Sequence, residues 1–226
     1  MLFKKKGNGE GGIIDMEFIK EMEERTELIN GILKKFLPEE SGLQQTAAKA
    51  MNYSVEAGGK RIRPMLMMES WKLFGGKGEA IEPFMAAIEM IHTYSLVHDD
   101  LPAMDNDEYR RGKKSTHAEF GEAMGILAGD ALLNRAFEIM ADAVEKNCVK
   151  STARAMRILS EKAGLYGMIG GQVVDIESEG KVISLETLTF LHEKKTARMT
   201  FWMLRAQRRC WGNLLAAMKE IRKRHT

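Results

Sequence analysis

An apolar run, Ile91-His92-Thr93-Tyr94-Ser95-Leu96-Val97-His98, ends abruptly in Asp99-Asp100-Leu101-Pro102-Ala103-Met104-Asp105, and Arg110-Arg111-Gly112 follow closely. The run is too apolar for a surface loop, so the carboxylates at its end must project from a buried element. Carboxylates held this close repel one another unless positive charge sits between them. Mg²⁺ takes oxygen ligands and commonly joins one or two carboxylates to substrate phosphates. A guanidinium fork matches the same phosphate oxygens. The stretch therefore reads as a Mg²⁺–diphosphate site. A solvated acidic loop is the plainer alternative, because charge runs are usually exposed. It fits poorly with the apolar run and with acids and arginines that alternate in blocks.

Helical periodicity extends over almost the whole chain, and only four prolines interrupt it. Met16, Ile19, Met22, Ile29, Leu33 and Phe36 mark a first helix over about 15–36, ended by Pro38. A second and third are expected at about 43–57 and 64–74, separated by Gly58-Gly59. A fourth covers about 80–98, with Pro102 setting its limit. A fifth is expected at about 118–146, a sixth at 151–170, and a seventh from Ser184, which with Glu186-Thr187 offers cap chemistry. Period-two alternation with turn dipeptides is missing, so no sheet is expected. The pattern predicts an all-α single domain with a central cavity between helices. His92, Ser95 and Asp99 share one face of the fourth helix. A continuous helix would rotate Asp105 by about 240° from Asp99, so the break at Pro102 is what lets the two converge.

At 226 residues, with 44% apolar and 29% charged residues, the chain is long enough for one domain with a substantial core. Cys148 and Cys210 show neither pairing nor metal-ligand spacing, which favours a reducing cytoplasm. No apolar run approaches the ~18–20 residues of a membrane span. Residues 1–14, basic and glycine-rich at their start, are expected to be a disordered leader. The net charge of +2 conceals an asymmetry: residues 198–226 carry eight basic side chains and one acid, Glu220, so the rest of the chain is acidic. The alkaline balance therefore gives no reason to expect nucleic-acid binding.

The segment Ile88–Met140, with its His92-to-Asp105 core, resembles the short-chain trans-prenyl diphosphate synthases of the polyprenyl synthetase family, and looks closest to bacterial farnesyl diphosphate synthases. Gly58-Gly59-Lys60-Arg61-Ile62-Arg63-Pro64 upstream is similar to the family's first basic motif. Gly129-Asp130, Gly171-Gln172-Val173-Val174-Asp175 and Lys195-Thr196 follow in the family's order, and the resemblance covers about 15–197. It implies an isoprenoid-synthase-type helical bundle, a homodimer, that condenses isopentenyl diphosphate with short allylic diphosphates. It further implies that Asp99 and Asp105, and more weakly Asp100, hold Mg²⁺. Lys60, Arg63, His92 and Arg111 would hold isopentenyl diphosphate and Arg110 the allylic diphosphate. Gln172, Lys195 and Thr196 would line the cavity near the developing allylic cation. Tyr94, with Ser95 beside it, would form a cavity floor that favours a C15 product.

One landmark of the family is missing. Its second aspartate-rich motif should follow Lys195-Thr196, yet no Asp occurs after Thr196, and Glu220 is the sole acid there. The expectation is a chain truncated or altered after about residue 197, with a divergent basic tail over 198–226, helical or frayed. Leu214, Leu215, Met218 and Ile221 would form that tail's apolar stripe. Lacking that wall of the metal site, the chain would ionise substrate poorly, and a diphosphate-binding or regulatory subunit becomes the alternative. A helical metal phosphohydrolase built on His98-Asp99 would need more histidines than His117 and His192 supply.

Overall fold

A computed structural model describes residues 11–197, with side chains described over 16–194. The first ten residues of the expected leader and the whole basic tail, 198–226, lie outside the described residues. Helix α1 (Gly11–Phe36) begins inside the stretch expected to be leader. It is followed by α2 (Gln45–Glu56), α3 (Ile62–Leu73) and α4 (Glu82–Asp99). A two-residue ribbon, β1 (Tyr109–Arg110) with β2 (Lys113–Lys114), pairs antiparallel. Helices α5 (Thr116–Phe120), α6 (Glu122–Asn147), α7 (Lys150–Ala163), α8 (Met168–Ser178) and α9 (Leu185–Leu191) complete the set, and π-helical turns continue over His192–Ala197.

Helix α4 is the axis of the molecule. Every residue from Phe84 to Ile91 is buried, so no face of that stretch meets water, as expected of a helix that is apolar all round. Its most extensive partner is α6. Small side chains at Ala128, Gly129, Ala136 and Ala143 let α6 approach closely, while Leu132, Ile139 and Met140 fill the space between. Ile29 and Leu33 of α1, Val55 of α2 and Met65 and Met68 of α3 close the remaining sides. Each such side chain, fully buried, contributes about 1.5–3 kcal/mol relative to exposure. That is enough to hold a charged end of α4 in place.

Two expected helices are each divided, and glycine is the reason both times. The fifth breaks at Gly121 (φ 89°), giving α5 and α6. The sixth breaks at Gly164–Gly167, where a side chain at 167 would collide with the Lys162 carbonyl; α7 and α8 result. The expectation of no sheet is corrected by the ribbon, which is too short for alternation to show. Ser184 caps α9 as expected, its Oγ accepting from the Thr187 amide at 3.1 Å.

Candidate functional site

The turn between α2 and α3 carries the first basic motif and has an unusual backbone. Gly58 and Gly59 adopt positive φ, and so does Arg61 (φ 48°). A side chain at Gly59 would strike the Arg111 guanidinium, so the missing Cβ there is what admits Arg111. Arg111 is itself left-handed (φ 54°), in the tight turn joining β1 to β2, and its Nη1 donates to the Gly58 carbonyl. Two sequence-distant basic segments are thereby pinned together. Between them and α4 lies a cavity of about 550 Å³, lined by Lys60, Arg61, Arg63, Glu89, His92 and Arg111 among others. Lys60, Arg63, His92 and Arg111, which the resemblance groups together, all line this cavity.

The electrostatics of this cavity are lopsided. Among the described residues, four cations and one acid, Glu89, line it, an excess of three positive charges. Burial, then the charges of Arg63, Arg111, Arg61 and Arg110, push His92 down to about 3, so the imidazole is neutral throughout the physiological range. Burial lowers the Arg63 and Arg111 guanidinium values, and neighbouring arginines lower Arg111 further. Arg63 Nε is buried with no hydrogen-bond partner. An anion entering the cavity would satisfy that donor and relieve the repulsion together.

Arg61 and Glu89 are the members that the sequence reading missed. Arg61 Nη1 donates to Glu89 Oε1 at 2.9 Å, with both side chains nearly inaccessible. The available signal was Glu89 itself, a single charge inside the otherwise buried stretch of α4. Acids are almost never fully buried unless paired.

The aspartate cluster divides. The chain doubles back after α4, and the Asp105 amide donates to the Asp99 carbonyl at 2.9 Å. Asp99 and Asp105 are thus neighbours along the folded chain, as the Pro102 argument expected, although α4 stops at Asp99, ahead of the proline. Asp100 turns inward instead, only 2% exposed. Arg110 Nε donates to both its carboxylate oxygens at 2.8 Å, and Nη2 donates to Oδ1. That hydrogen bond is the chief cause raising the Arg110 value. Asp100 and Arg110, for which the resemblance implies a weaker metal-ligand role and a diphosphate contact, engage each other in this structure.

A second cleft, about 560 Å³, brings Asp105 together with Gln172, Asp175 and Glu179 of the α8 region. Gln172 therefore lines the same cleft as Asp105, the last acid of the aspartate segment. Lys195 and Thr196 lie in the π-helical turns beside α8, and their side chains lie outside those described. Tyr94 is buried, its ring edge-on to the His98 imidazole at 5.8 Å. Ser95 Oγ donates to the His92 carbonyl at 2.9 Å. Gly129 makes room for His98, because a side chain there would collide with the ring. No described helix is long and apolar enough to cross a membrane.

A divalent cation is implied by the resemblance, and the residues fit one. Asp99 and Asp105 are two hard oxygen donors on one bend, the number Mg²⁺ usually takes from protein when phosphates supply the rest. Among the described residues no group of three His, Cys, Asp or Glu side chains is placed to hold a metal unaided.

The family model for polyprenyl synthetase matches residues 44–220, past the point near 197 where the resemblance was expected to stop. A farnesyl diphosphate synthase of Geobacillus stearothermophilus is 48% identical over 159 residues, covering 70% of this chain and 54% of that protein. A geranylgeranyl diphosphate synthase of Cyanophora paradoxa is 43% identical over 198 residues, covering 87% and 64%. Among solved structures, an apo FPP/GFPP synthase from Zymomonas mobilis superposes with a TM-score of 0.75 at 35% identity, covering 83% of this chain and 68% of that one. The chain thus spans between about half and two thirds of the length of these curated relatives.

Proposed function

Because the chain belongs to the polyprenyl synthetase family, we propose that it is a prenyltransferase scaffold that binds isopentenyl diphosphate in the basic cavity and an allylic diphosphate at the Asp99–Asp105 bend. The observation that carries this reading is the cavity's uncompensated charge, with Arg63 Nε buried and unpartnered at its wall. Lys60, Arg63 and Arg111 would bind the diphosphate, and neutral His92 would donate or accept one hydrogen bond without adding charge.

Asp99 and Asp105 would hold Mg²⁺, which when bound offsets the charge on the departing diphosphate of the allylic substrate. Gln172 and Asp175 face Asp105 across the second cleft, where polar groups can orient that substrate. The Asp100–Arg110 pair fixes the bend that positions Asp99 and Asp105. Ile176, Ile183 and Leu191 in the second cleft would help exclude water, which would otherwise quench an allylic cation. Tyr94, as a cavity floor, would limit the product to C15. Assembly as a homodimer belongs to the same proposal and is read by sedimentation.

A second reading, a chain that binds diphosphates without turning them over, rests on the stretch after Thr196, which carries no Asp and one acid, Glu220. Geranyl diphosphate, labelled isopentenyl diphosphate and Mg²⁺, with extracted products sized, separate the two. Farnesyl diphosphate formed at steady state supports the prenyltransferase. Binding of isopentenyl diphosphate without product supports the binding subunit, and binding of neither would defeat both.

A further inference from the structure

Within the basic motif, the two arginines are treated in opposite ways by the fold. Arg63 leaves a buried nitrogen unpartnered at the cavity wall. Arg61, only 4% exposed, has each guanidinium nitrogen engaged: Nε donates to Asn30 Oδ1 at 2.9 Å, Nη1 to Glu89 Oε1 at 2.9 Å, and Nη2 to the Val55 carbonyl at 2.6 Å. These acceptors come from three helices, α1, α4 and α2. The residue they grip stands in the left-handed region immediately before α3. For an L-residue that conformation is disfavoured, and it persists only where the surroundings over-determine it.

We infer that Arg61 is a positioning residue: anchored on Asn30, Glu89 and Val55, it holds the left-handed turn that presents Lys60 and Arg63 to the diphosphate, and does not itself touch the ligand. The inference rests on the basic cavity being a diphosphate site. Its consequence is that Asn30, on α1 and outside the cavity lining, governs affinity at a distance. Glu89 has a matching part. It neutralises Arg61, so the charge that meets the ligand is that of Lys60, Arg63 and Arg111.

The test is calorimetric titration of inorganic diphosphate into the full chain, without metal, beside thermal melts. Asn30→Ala removes one anchor and no cavity group. It should weaken binding about tenfold or more, in line with loss of a hydrogen bond to a charged partner, while Asn30→Asp keeps the acceptor and most of the affinity. Arg61→Lys keeps the charge but cannot reach three acceptors, and should weaken binding at least as much. If Arg61 were a ligand, Asn30→Ala would free it and affinity would hold or rise; that result overturns the inference. A lowered melting temperature with unchanged affinity of the folded variant, the mark of a purely structural role, also overturns it. A wild-type chain that binds no diphosphate overturns the functional reading on which it rests.

Discussion

His92 offers a sharp test of how the cavity's charge is arranged. Its ordinary value is 6.5, and in the folded chain burial and then Arg63, Arg111, Arg61 and Arg110 hold it near 3. Between those values the unfolded chain carries a proton that the native chain lacks. Stability contributed by the neutral ring is therefore fully present above pH 6.5 and is lost progressively as pH falls toward 3. Each pH unit in that window costs up to about 1.4 kcal/mol. From 6.5 to 4.5 the loss is up to about 2.7 kcal/mol, or roughly 5–10 °C of melting temperature for a domain of this size. Other groups titrate in the same range, so the informative quantity is wild type minus His92→Asn, which cannot take up the proton. The two melting curves should agree near pH 8 and diverge by that amount at pH 4.5, the variant losing less. Inorganic diphosphate, by placing negative charge beside the ring, should raise the folded value and narrow the gap. Parallel pH profiles for the two proteins would refute the claim that the arginines converge on His92.

Other perturbations address neighbouring parts of the site. Asp100→Asn leaves Arg110 facing an uncharged amide; with Arg110 partly exposed, stability should fall by about 2–3 kcal/mol, toward the lower end for a broken buried pair. A change under about 1 kcal/mol by denaturant titration would mean that the pair does not hold the bend. Gly59→Ala forces a Cβ into the Arg111 guanidinium at a φ that side chains rarely adopt, and should weaken diphosphate binding at least about tenfold by moving a ligand group. Asp105→Ala should abolish the Mg²⁺-dependent part of allylic diphosphate binding while leaving metal-free binding of inorganic diphosphate intact. Equal loss of both would show that the two clefts are one site.

Much of the architecture was legible because it is local. The period of apolar residues marks α1 to α4 to within a few residues, and the Ser184 cap is specified by side chains three apart. The breaks within the expected fifth and sixth helices were harder to see, because Gly121 and Gly164–Gly167 act through positive φ and close backbone approach rather than through hydrophobic pattern. The grouping of Lys60, Arg63, His92 and Arg111 came from the family resemblance, not from spacing, since these residues lie on separate segments.

Sequence by itself determined that the fourth helix would be buried and end in carboxylates, because the run Ile91–His98 is too apolar for a surface loop and three aspartates follow it. It could not decide which of those carboxylates would face solvent. That choice belongs to tertiary structure: the β1–β2 ribbon brings Arg110 onto Asp100, which is buried, while Asp99 and Asp105 lie at the two ends of the bend. The same holds for Arg61 and Arg63, two residues apart in one basic motif and chemically alike. Only the positions of Asn30, Glu89 and Val55, brought from three helices, turn the first inward as an anchor and leave the second at the cavity wall. Charge chemistry is written in the chain, but which charge is satisfied by protein and which waits for a ligand depends on what the fold brings within hydrogen-bond reach.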